Sequence, residues 1–433
     1  MSKNYDSDVI VAGAGPAGAT AALRLARAGV RVLMVERYAL PRQKPCGGGI
    51  STRVFTRFPW LSESLPRIAT HPVSSLYLEG PSGRAFRMQS PGPAVLLIRR
   101  IEFDHLLASL AVEAGAELLA PAAVAQARQD ADGVTLRTRD GVELRARMVI
   151  AADGVNSVIA RRLGMNPGWP AAKLALDMME ETPVAALRAA EPDTLSVFYG
   201  YGGAHGYAYI FPKRQHVNVG IGYVLPYFKA QVDLTPYDLQ QRFVRDLRAR
   251  GLMDGESQRG HFTPFLIPIG GPLRNTADRR VLLAGDAGGF VNGFSAEGIY
   301  YAMVTGDLAA EAILSARRAS ELSPARAGRA YVRAWRREIG GELRDSVLIQ
   351  KYLFHSPTRM DRVVHGARTR PAFSEILVDY ASGRLSYRAA RRRLLWHFPR
   401  LLPRLAWLAL RGRPAPVRPA GPAGSEHPDP AGV

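Results

Sequence analysis

Three glycines, Gly13, Gly15 and Gly18, stand at the G-x-G-x-x-G spacing, and the chemistry that needs this spacing is the cradling of a dinucleotide pyrophosphate. Gly13 permits the tight turn, Gly15 removes the side chain that would block the phosphates, and Gly18 lets the next helix pack close to the preceding strand. Pro16 and Ala17 lie between them at the opening of that helix, whose free N–H groups and positive dipole end point toward an anion. Glu36, followed by Arg37, closes the next apolar run, where a carboxylate can accept both hydroxyls of an adenosine ribose. The glycine spacing alone is a weak signal. With a strand before it, a helix after it and an acid at the end of the second strand, it outweighs a glycine-rich turn of some other α/β protein.

Other candidates are scattered along the chain. Cys46 is followed by Gly47, Gly48 and Gly49, a backbone without side-chain bulk that suits contact with a flat ring; a flexible loop with Cys46 as a small buried residue is the other account. Arg100, at a helix start, could reach a phosphate or stand as a solvated charge. Asp153 and Asp286 each end a buried apolar strand and precede glycine-containing turns, an unusual place for a merely structural acid.

The elements that must position these residues follow from pattern. Val9 to Ala12 and Val30 to Val35 read as strands on either side of an Ala/Leu-rich helix. Residues 72–98 read as strands with a Gly-Pro-Ser-Gly turn at 80–83, then a helix runs from Arg99 to Ala114 and ends at Gly115. A hairpin is expected over 133–138 and 142–145, and a buried strand over 147–152. From 165 to 270 helix signals thin out. Phe198, Tyr199, Tyr201, Tyr207, Tyr209, Phe211 and Tyr223 accumulate there, as the core of a sheet or as the wall of a long apolar pocket. A strand over 280–286 precedes a helix expected from about Ala296 to Arg318, and residues 325–353 and 359–397 read as Arg-rich amphipathic helices. Arg391 to Arg411 mixes Leu and Trp with Arg, as would suit an anionic lipid surface or docking on the body.

Composition excludes several classes. Hydrophobic content is 47% and charged content 22% over 433 residues, an ordinary globular balance. The net charge of +19 is mostly arginine, with only 6 Lys among 57 basic residues; no basic stripe accompanies a recognised motif, so nucleic acid is not an expected partner. A single cysteine rules out an internal disulfide and a cysteine-cluster metal site, and no metal is expected. The polar, acidic first residues and the lack of any run of 18 apolar residues point to a cytoplasmic chain that does not span a membrane.

Taken together, the glycine cradle with Glu36 and the two strand-end acids resemble the FAD-binding flavoproteins of the p-hydroxybenzoate-hydroxylase-like fold. To about residue 411 the chain is similar to the geranylgeranyl reductase family. Lys44-Pro-Cys-Gly-Gly-Gly49 matches that family's K-x-C-G-G-G, and Val291-Asn-Gly-Phe-Ser-Ala-Glu-Gly-Ile299 is close to its V-N-P-F-T-G-E-G-I. Tyr207, Phe211 and Pro212 answer to its P-x-x-Y-x-W-x-F-P, with departures at Ala204 for Pro and Tyr209 for Trp. The resemblance implies an α/β (α+β) fold: a Rossmann-like FAD-binding domain (1–70, 100–164, 275–320), an inserted antiparallel-sheet substrate domain (71–99, 165–274), a C-terminal helical region (321–411) and a disordered tail (412–433). It implies FAD on the first motif, with Arg100 near the dinucleotide, Asp153 supporting the cofactor region and linked to the reductant, Asp286 on the ribityl chain, and Cys46, Gly47, Gly48, Gly298 and Ile299 beside the flavin.

The implied reaction is saturation of carbon–carbon double bonds in a polyisoprenoid, by hydride from reduced flavin and a proton to the other carbon. Gly49, Tyr207, Tyr209, Phe211 and Pro212 would hold the substrate, and Cys46, Tyr207 and Tyr209 would stand at the reacting bond, with Cys46 the candidate proton donor. With no second G-x-G-x-x-G, electrons would come from transient NAD(P)H or reduced ferredoxin. The C-terminal Arg/Trp segment would give peripheral contact on the inner face of the membrane, near an isoprenoid lipid or polyprenyl diphosphate. Two other readings use the same residues: a monooxygenase or halogenase of the same fold, and a non-catalytic flavoprotein that binds lipid or relays electrons.

Overall fold

The apolar run Ser7–Ala12 forms a strand whose alternate residues face two different cores, which places it in the middle of a sheet covered on both sides. The computed structural model describes residues 5–203, 205–317 and 323–397. In the first sheet, Ser7–Ala12 lies parallel to Val32–Val35 and to Glu143–Ala151; Glu117–Leu119 and Val281–Leu283 extend the parallel order on either side. The antiparallel strands Val124–Gln129 and Val134–Thr138 complete its wing, with Ala277–Asp278 at one edge.

Val9, Val11, Met34, Ile150 and Leu282 pack under three helices, Pro16–Arg27, Arg100–Glu113 and Ile299–Arg317. Ile10, Ala12, Leu33, Val149 and Leu283 pack the opposite face against Leu136, Leu144 and Ile159. The helices Pro16–Arg27 and Ile299–Arg317 approach so closely that a Cβ on Gly306 would collide with the Ala17 carbonyl.

The second sheet has seven strands in the order Phe262–Pro268, Leu174–Pro183, His216–Val224, Gly206–Pro212, Thr194–Tyr199, Ser75–Glu79, Ala85–Gln89. All neighbours are antiparallel except Thr194–Tyr199 and Ser75–Glu79. A small third sheet joins Gly49–Ser51 and Thr70–Val73 to Val95–Ile98. The 70/71 boundary expected from sequence falls within Thr70–Val73, so the cysteine loop is tied directly to the strands leading into the second sheet.

Several elements differ from the sequence expectation. The helix expected from Ala296 begins at Ile299, because Ala296 takes a left-handed φ of 55° and the loop turns there before the helix starts. Within 165–270, the helices Leu225–Gln231 and Pro236–Ala249 stand among the strands. The second is capped by the Thr235 hydroxyl, which accepts from the Asp238 N–H, and it buries Leu239, Phe243, Val244 and Leu247 against the sheet. The segment expected to be helical over 359–397 divides into Pro357–Thr369, Pro371–Ala381 and Tyr387–His397. The expected tail 412–433, the Arg391–Arg411 segment beyond residue 397, Arg318 and Ala204 lie outside the described residues.

Candidate active site

The glycine turn is built by exclusion. Gly13 has a φ of +98°, and a Cβ there would collide with the Ala152 carbonyl; a Cβ on Gly18 would collide with the Gly13 carbonyl. Gly15 faces open cleft instead, where a Cβ would first meet the guanidinium nitrogens of Arg42 at 3.7 Å and Arg100 at 4.0 Å. Two cations therefore face the bare backbone at Gly15, beside a helix N-terminus with no side-chain cap.

Each cation is held by carboxylates. Arg100 is buried and makes two hydrogen bonds to Asp104, at 2.6 and 2.8 Å, so it is no solvated surface charge. Burial alone would favour loss of its proton, but Asp104 reverses this and holds it charged. Arg42 bridges Glu36 at 3.2 Å and Asp104 at 3.1 Å. Glu36 is itself buried and accepts the Ala14 N–H at 2.9 Å and the Tyr38 N–H at 3.2 Å, which fixes the end of the second strand against the glycine turn. Arg37 is exposed at the rim, stacked over the Tyr38 ring at 4.8 Å.

The two strand-end acids line the same cleft. One oxygen of Asp153 caps the following short helix, accepting the Val158 N–H at 2.8 Å and the Ile159 N–H at 3.2 Å; the other is buried without a hydrogen-bond partner among the described residues. Burial pushes this carboxyl's pKa up. Asp286 opens toward Gly298, whose hypothetical Cβ would lie 3.6 Å from its Oδ1, and Ile299 stands at the adjacent helix start.

The cysteine loop lies flat against aromatic rings of the second sheet. A Cβ on Gly47 would come within 2.8 Å of the Phe211 ring and one on Gly49 within 3.2 Å, while Gly48, at φ +75°, leaves no room beside the Ile98 carbonyl. The Gly48 N–H donates to Cys46 Sγ at 3.4 Å, and Asn218 donates to the Cys46 carbonyl at 3.3 Å. Past the loop, Ser51 donates to Glu297 at 2.8 Å. Arg53 reaches Glu297 at 3.1 Å, Glu342 at 3.0 Å and the Tyr301 hydroxyl at 3.0 Å. This buried cluster binds the cysteine loop, the loop after Asp286 and the C-terminal helices into one wall.

Strand alternation sorts the aromatics. Tyr207, Tyr209 and Phe211 face the cleft, joined by Tyr199, Phe294 and Phe354, with Tyr199 stacked on Phe294 at 5.6 Å. The Tyr207 hydroxyl donates to the Ser295 carbonyl at 2.7 Å. Phe198, Tyr201 and Tyr223 turn to the other side and pack around Phe243 and its helix, so the expected aromatic set is partly core and partly chamber wall. Pro212 shares with Ala208 and Ile210 the buried face of its strand that packs toward the helix Pro236–Ala249, and does not line the cleft. One cleft of about 580 Å³ connects Gly15 and Glu36 to Tyr199 and Phe354.

Three residues of this cleft are absent from the sequence candidates. Arg42 is one. Lys44 is the second: its ammonium sits 3.3 Å from the centre of the Phe265 ring, and burial and the neighbouring Arg100 lower its pKa to about 8. The third is Asp177, buried, with its carboxyl oxygens 3.2 and 3.3 Å from the Tyr209 hydroxyl and its pKa raised by burial to about 7. An acid within Leu174-Ala-Leu-Asp-Met-Met179 is the signal that could have found it, since an apolar strand seldom carries an unpaired carboxyl.

Comparison with known proteins places the chain in a family. The FAD binding domain family matches residues 6–305. Digeranylgeranylglycerophospholipid reductase 2 of Methanothermobacter thermautotrophicus is 33% identical over 359 residues, covering 80% of this chain and 87% of the relative. The chain belongs to the geranylgeranyl reductase family of FAD-binding flavoproteins. Within this family it is also 30% identical to geranylgeranyl diphosphate reductase of Rhodobacter capsulatus, over 82% of this chain and 87% of that one. Menaquinone reductase of Mycobacterium tuberculosis is 31% identical over 75% of this chain and 80% of its own length. A geranylgeranyl bacteriochlorophyll reductase-like protein of Thermoplasma acidophilum superposes with a TM-score of 0.77 at 22% identity, covering 93% of this chain and 99% of that one, which establishes the shared fold.

Proposed function

We propose that this flavoprotein saturates carbon–carbon double bonds of a polyisoprenoid chain. The observation that carries the reading is the continuity of the cleft, which joins a phosphate-facing glycine turn to an aromatic chamber without a dividing wall. The named activities of the 30–33% identical relatives support the same class of reaction.

The residues fit FAD. Gly15 offers bare backbone beside Arg42 and Arg100 for the diphosphate, with Gly13, Pro16, Ala17 and Gly18 shaping the turn, and Glu36 with Arg37 stands at the adenosine end. The unpartnered oxygen of Asp153 and the carboxylate of Asp286 offer acceptors to the middle of the cofactor, and Cys46, Gly47, Gly48, Gly298 and Ile299 offer a flat wall. Bound and reduced, FAD supplies a hydride. Gly49, Tyr207, Tyr209 and Phe211 hold the alkene by apolar contact, exclude water and face developing positive charge with ring surfaces.

Reducing equivalents enter from NAD(P)H or reduced ferredoxin. Peripheral membrane contact rests on Trp396, which is 82% exposed, beside exposed Arg392; Arg391 and Arg393 of that helix are paired with Asp345 and Asp379. Among the described residues no helix is long and apolar enough to cross a membrane.

The test is anaerobic. The FAD-loaded protein is reduced with dithionite and mixed separately with geranylgeranyl diphosphate, a menaquinone and digeranylgeranylglycerophospholipid, while flavin reoxidation and lipid mass are followed. Reoxidation with mass gain in hydrogen pairs is expected for one of them. Reoxidation only on admitting air, with every lipid unchanged, overturns the reading in favour of oxygen chemistry.

A further inference from the structure

The reduction needs a proton as well as a hydride, and the aromatic chamber holds one acid that structure alone does not explain. Asp177 projects from the middle of Leu174–Pro183 into the cleft, and among the described residues the only hydrogen-bond partner of its carboxyl is Tyr209. Burying a carboxyl with one neutral hydroxyl as its hydrogen-bond partner opposes stability, even with the Lys44 ammonium nearby.

The sheet is adapted to bring these two groups together. Asp177 and Tyr209 lie on strands separated by His216–Val224, with Asp177 opposite Gly222 and Tyr209 opposite Gly220. A Cβ on Gly220 would stand 2.5 Å from the Tyr209 hydroxyl and 2.6 Å from its Cζ; one on Gly222 would lie 4.0 Å from Asp177 Oδ1. The bare backbone at Gly220 opens the trough across which the tyrosine reaches the acid, while Gly222 would accept a Cβ in ordinary contact. Glycine inside a strand marks such a close approach.

We infer that Asp177 is the general acid of the reduction, delivering its proton to the alkene carbon that does not receive the hydride, with Tyr209 as the residue that positions it. The inference rests on the alkene-reductase reading above. The step balances: the π bond breaks, the hydride pair forms one C–H bond and the proton of Asp177 forms the other. The O–H electrons stay on Asp177 as a carboxylate, which regains a proton from water before the next turnover. Reduced FAD is the reductant.

The surroundings suit each half of this cycle. Burial holds the proton on Asp177 near neutral pH, while the phenol donated by Tyr209 and the ammonium of Lys44 favour the carboxylate that remains. Tyr207 and Cys46 are the other titratable groups near the pair. Burial and Asp177 raise the Tyr207 and Tyr209 hydroxyls well above their ordinary range, which makes both poorer proton donors than the Asp177 carboxyl.

The experiment compares wild type, Asp177→Asn and Tyr209→Phe as FAD-loaded proteins, each reduced and mixed anaerobically with the three isoprenoid probes in parallel across pH. Wild-type reoxidation should slow as pH rises through about 7. Asp177→Asn should lose roughly 10²–10⁴-fold in that rate and lose the inflection, with its flavin spectrum unchanged. Tyr209→Phe should move the inflection upward, because it removes a bond that favours the carboxylate. In the infrared difference spectrum of oxidised wild type against Asp177→Asn, a protonated carboxyl band should titrate near the same pH. An Asp177→Asn rate close to wild type, an inflection that survives in it, or no such band overturns the acid assignment alone. A wild type that reoxidises on none of the probes overturns the reductase reading with it.

Discussion

Replacing Gly220 with alanine should separate the acid from its tyrosine while adding a single methyl group. The new Cβ would stand 2.5 Å from the Tyr209 hydroxyl and 2.9 Å from Met179 Cβ, against a comfortable separation of about 3.5 Å, so the ring must withdraw by roughly 1 Å. The bond to Asp177 is already 3.2 Å long, and such a retreat carries it beyond hydrogen-bonding range. A phenol–carboxylate bond contributes about 1.5 kcal/mol, which corresponds to about one pH unit in Asp177 and roughly tenfold in the rate of a step that makes its carboxylate. Overpacking should also cost about 1–3 kcal/mol in stability, read in a thermal melt. The assay is single-turnover flavin reoxidation across pH, with the inflection expected higher and the plateau lower than in wild type. Gly222→Ala is the control: its Cβ meets the Tyr207 carbonyl at 3.9 Å and Asp177 at 4.0 Å, ordinary contacts, and its inflection should stay in place. Gly220→Ala with wild-type rate and inflection would refute the reasoning.

Other outcomes follow from the same geometry. Gly18→Ala places a Cβ on the Gly13 carbonyl, so the turn must open; FAD affinity measured by fluorescence titration should fall by more than tenfold, and unchanged affinity would exclude the turn as the diphosphate cradle. Arg42→Ala removes a guanidinium facing Gly15 and frees Glu36 and Asp104 from it. FAD binding should weaken roughly 10–100-fold, by about 1.5–3 kcal/mol, in the same titration. Asp177 also sets a stability trend. Its folded pKa of about 7 lies above the ordinary 3.8, so the folded state holds the proton more tightly; stability is greatest below pH 4 on this account and declines as pH rises toward 7. Asp177→Asn should therefore be more stable than wild type at pH 8, by up to about 4 kcal/mol, and the difference should close at pH 4 in denaturant titrations.

What the sequence discloses and what it hides divide along a physical line. The glycine turn, Glu36 and the two strand-end acids are legible because each stands at a fixed place in a short strand–turn pattern, the glycines where a turn needs bare backbone and the acids where a buried apolar run ends. Arg42 and Asp177 are not, because their meaning arises from partners far away in the chain: Arg42 from Asp104, Asp177 from Tyr209 across an intervening strand. The aromatic set shows a third case. Alternation places Tyr207, Tyr209 and Phe211 on one face, yet it cannot say which face of the sheet meets the cleft and which meets the helix Pro236–Ala249. That helix carries signals of its own, Thr235 as its cap and the spacing of Leu239, Phe243 and Leu247, within a stretch otherwise dense in strand-forming aromatics. The left-handed Ala296 carried no signal, since alanine normally favours continuing a helix.

The strand Val217-Asn-Val-Gly-Ile-Gly-Tyr223 held a clue of another kind. Two glycines spaced by two in a buried strand weaken it without local benefit, so their cost must be offset by something crossing that face. An acid stranded in the neighbouring apolar run, Leu176-Asp-Met178, needs a polar partner for the same energetic reason. In antiparallel pairing, one register satisfies both demands at once, placing Asp177 opposite Gly222 and letting Tyr209 reach over Gly220. Two unfavourable features on adjacent strands thus locate a chamber with a buried acid, because each becomes tolerable only where the other opens or fills the same space.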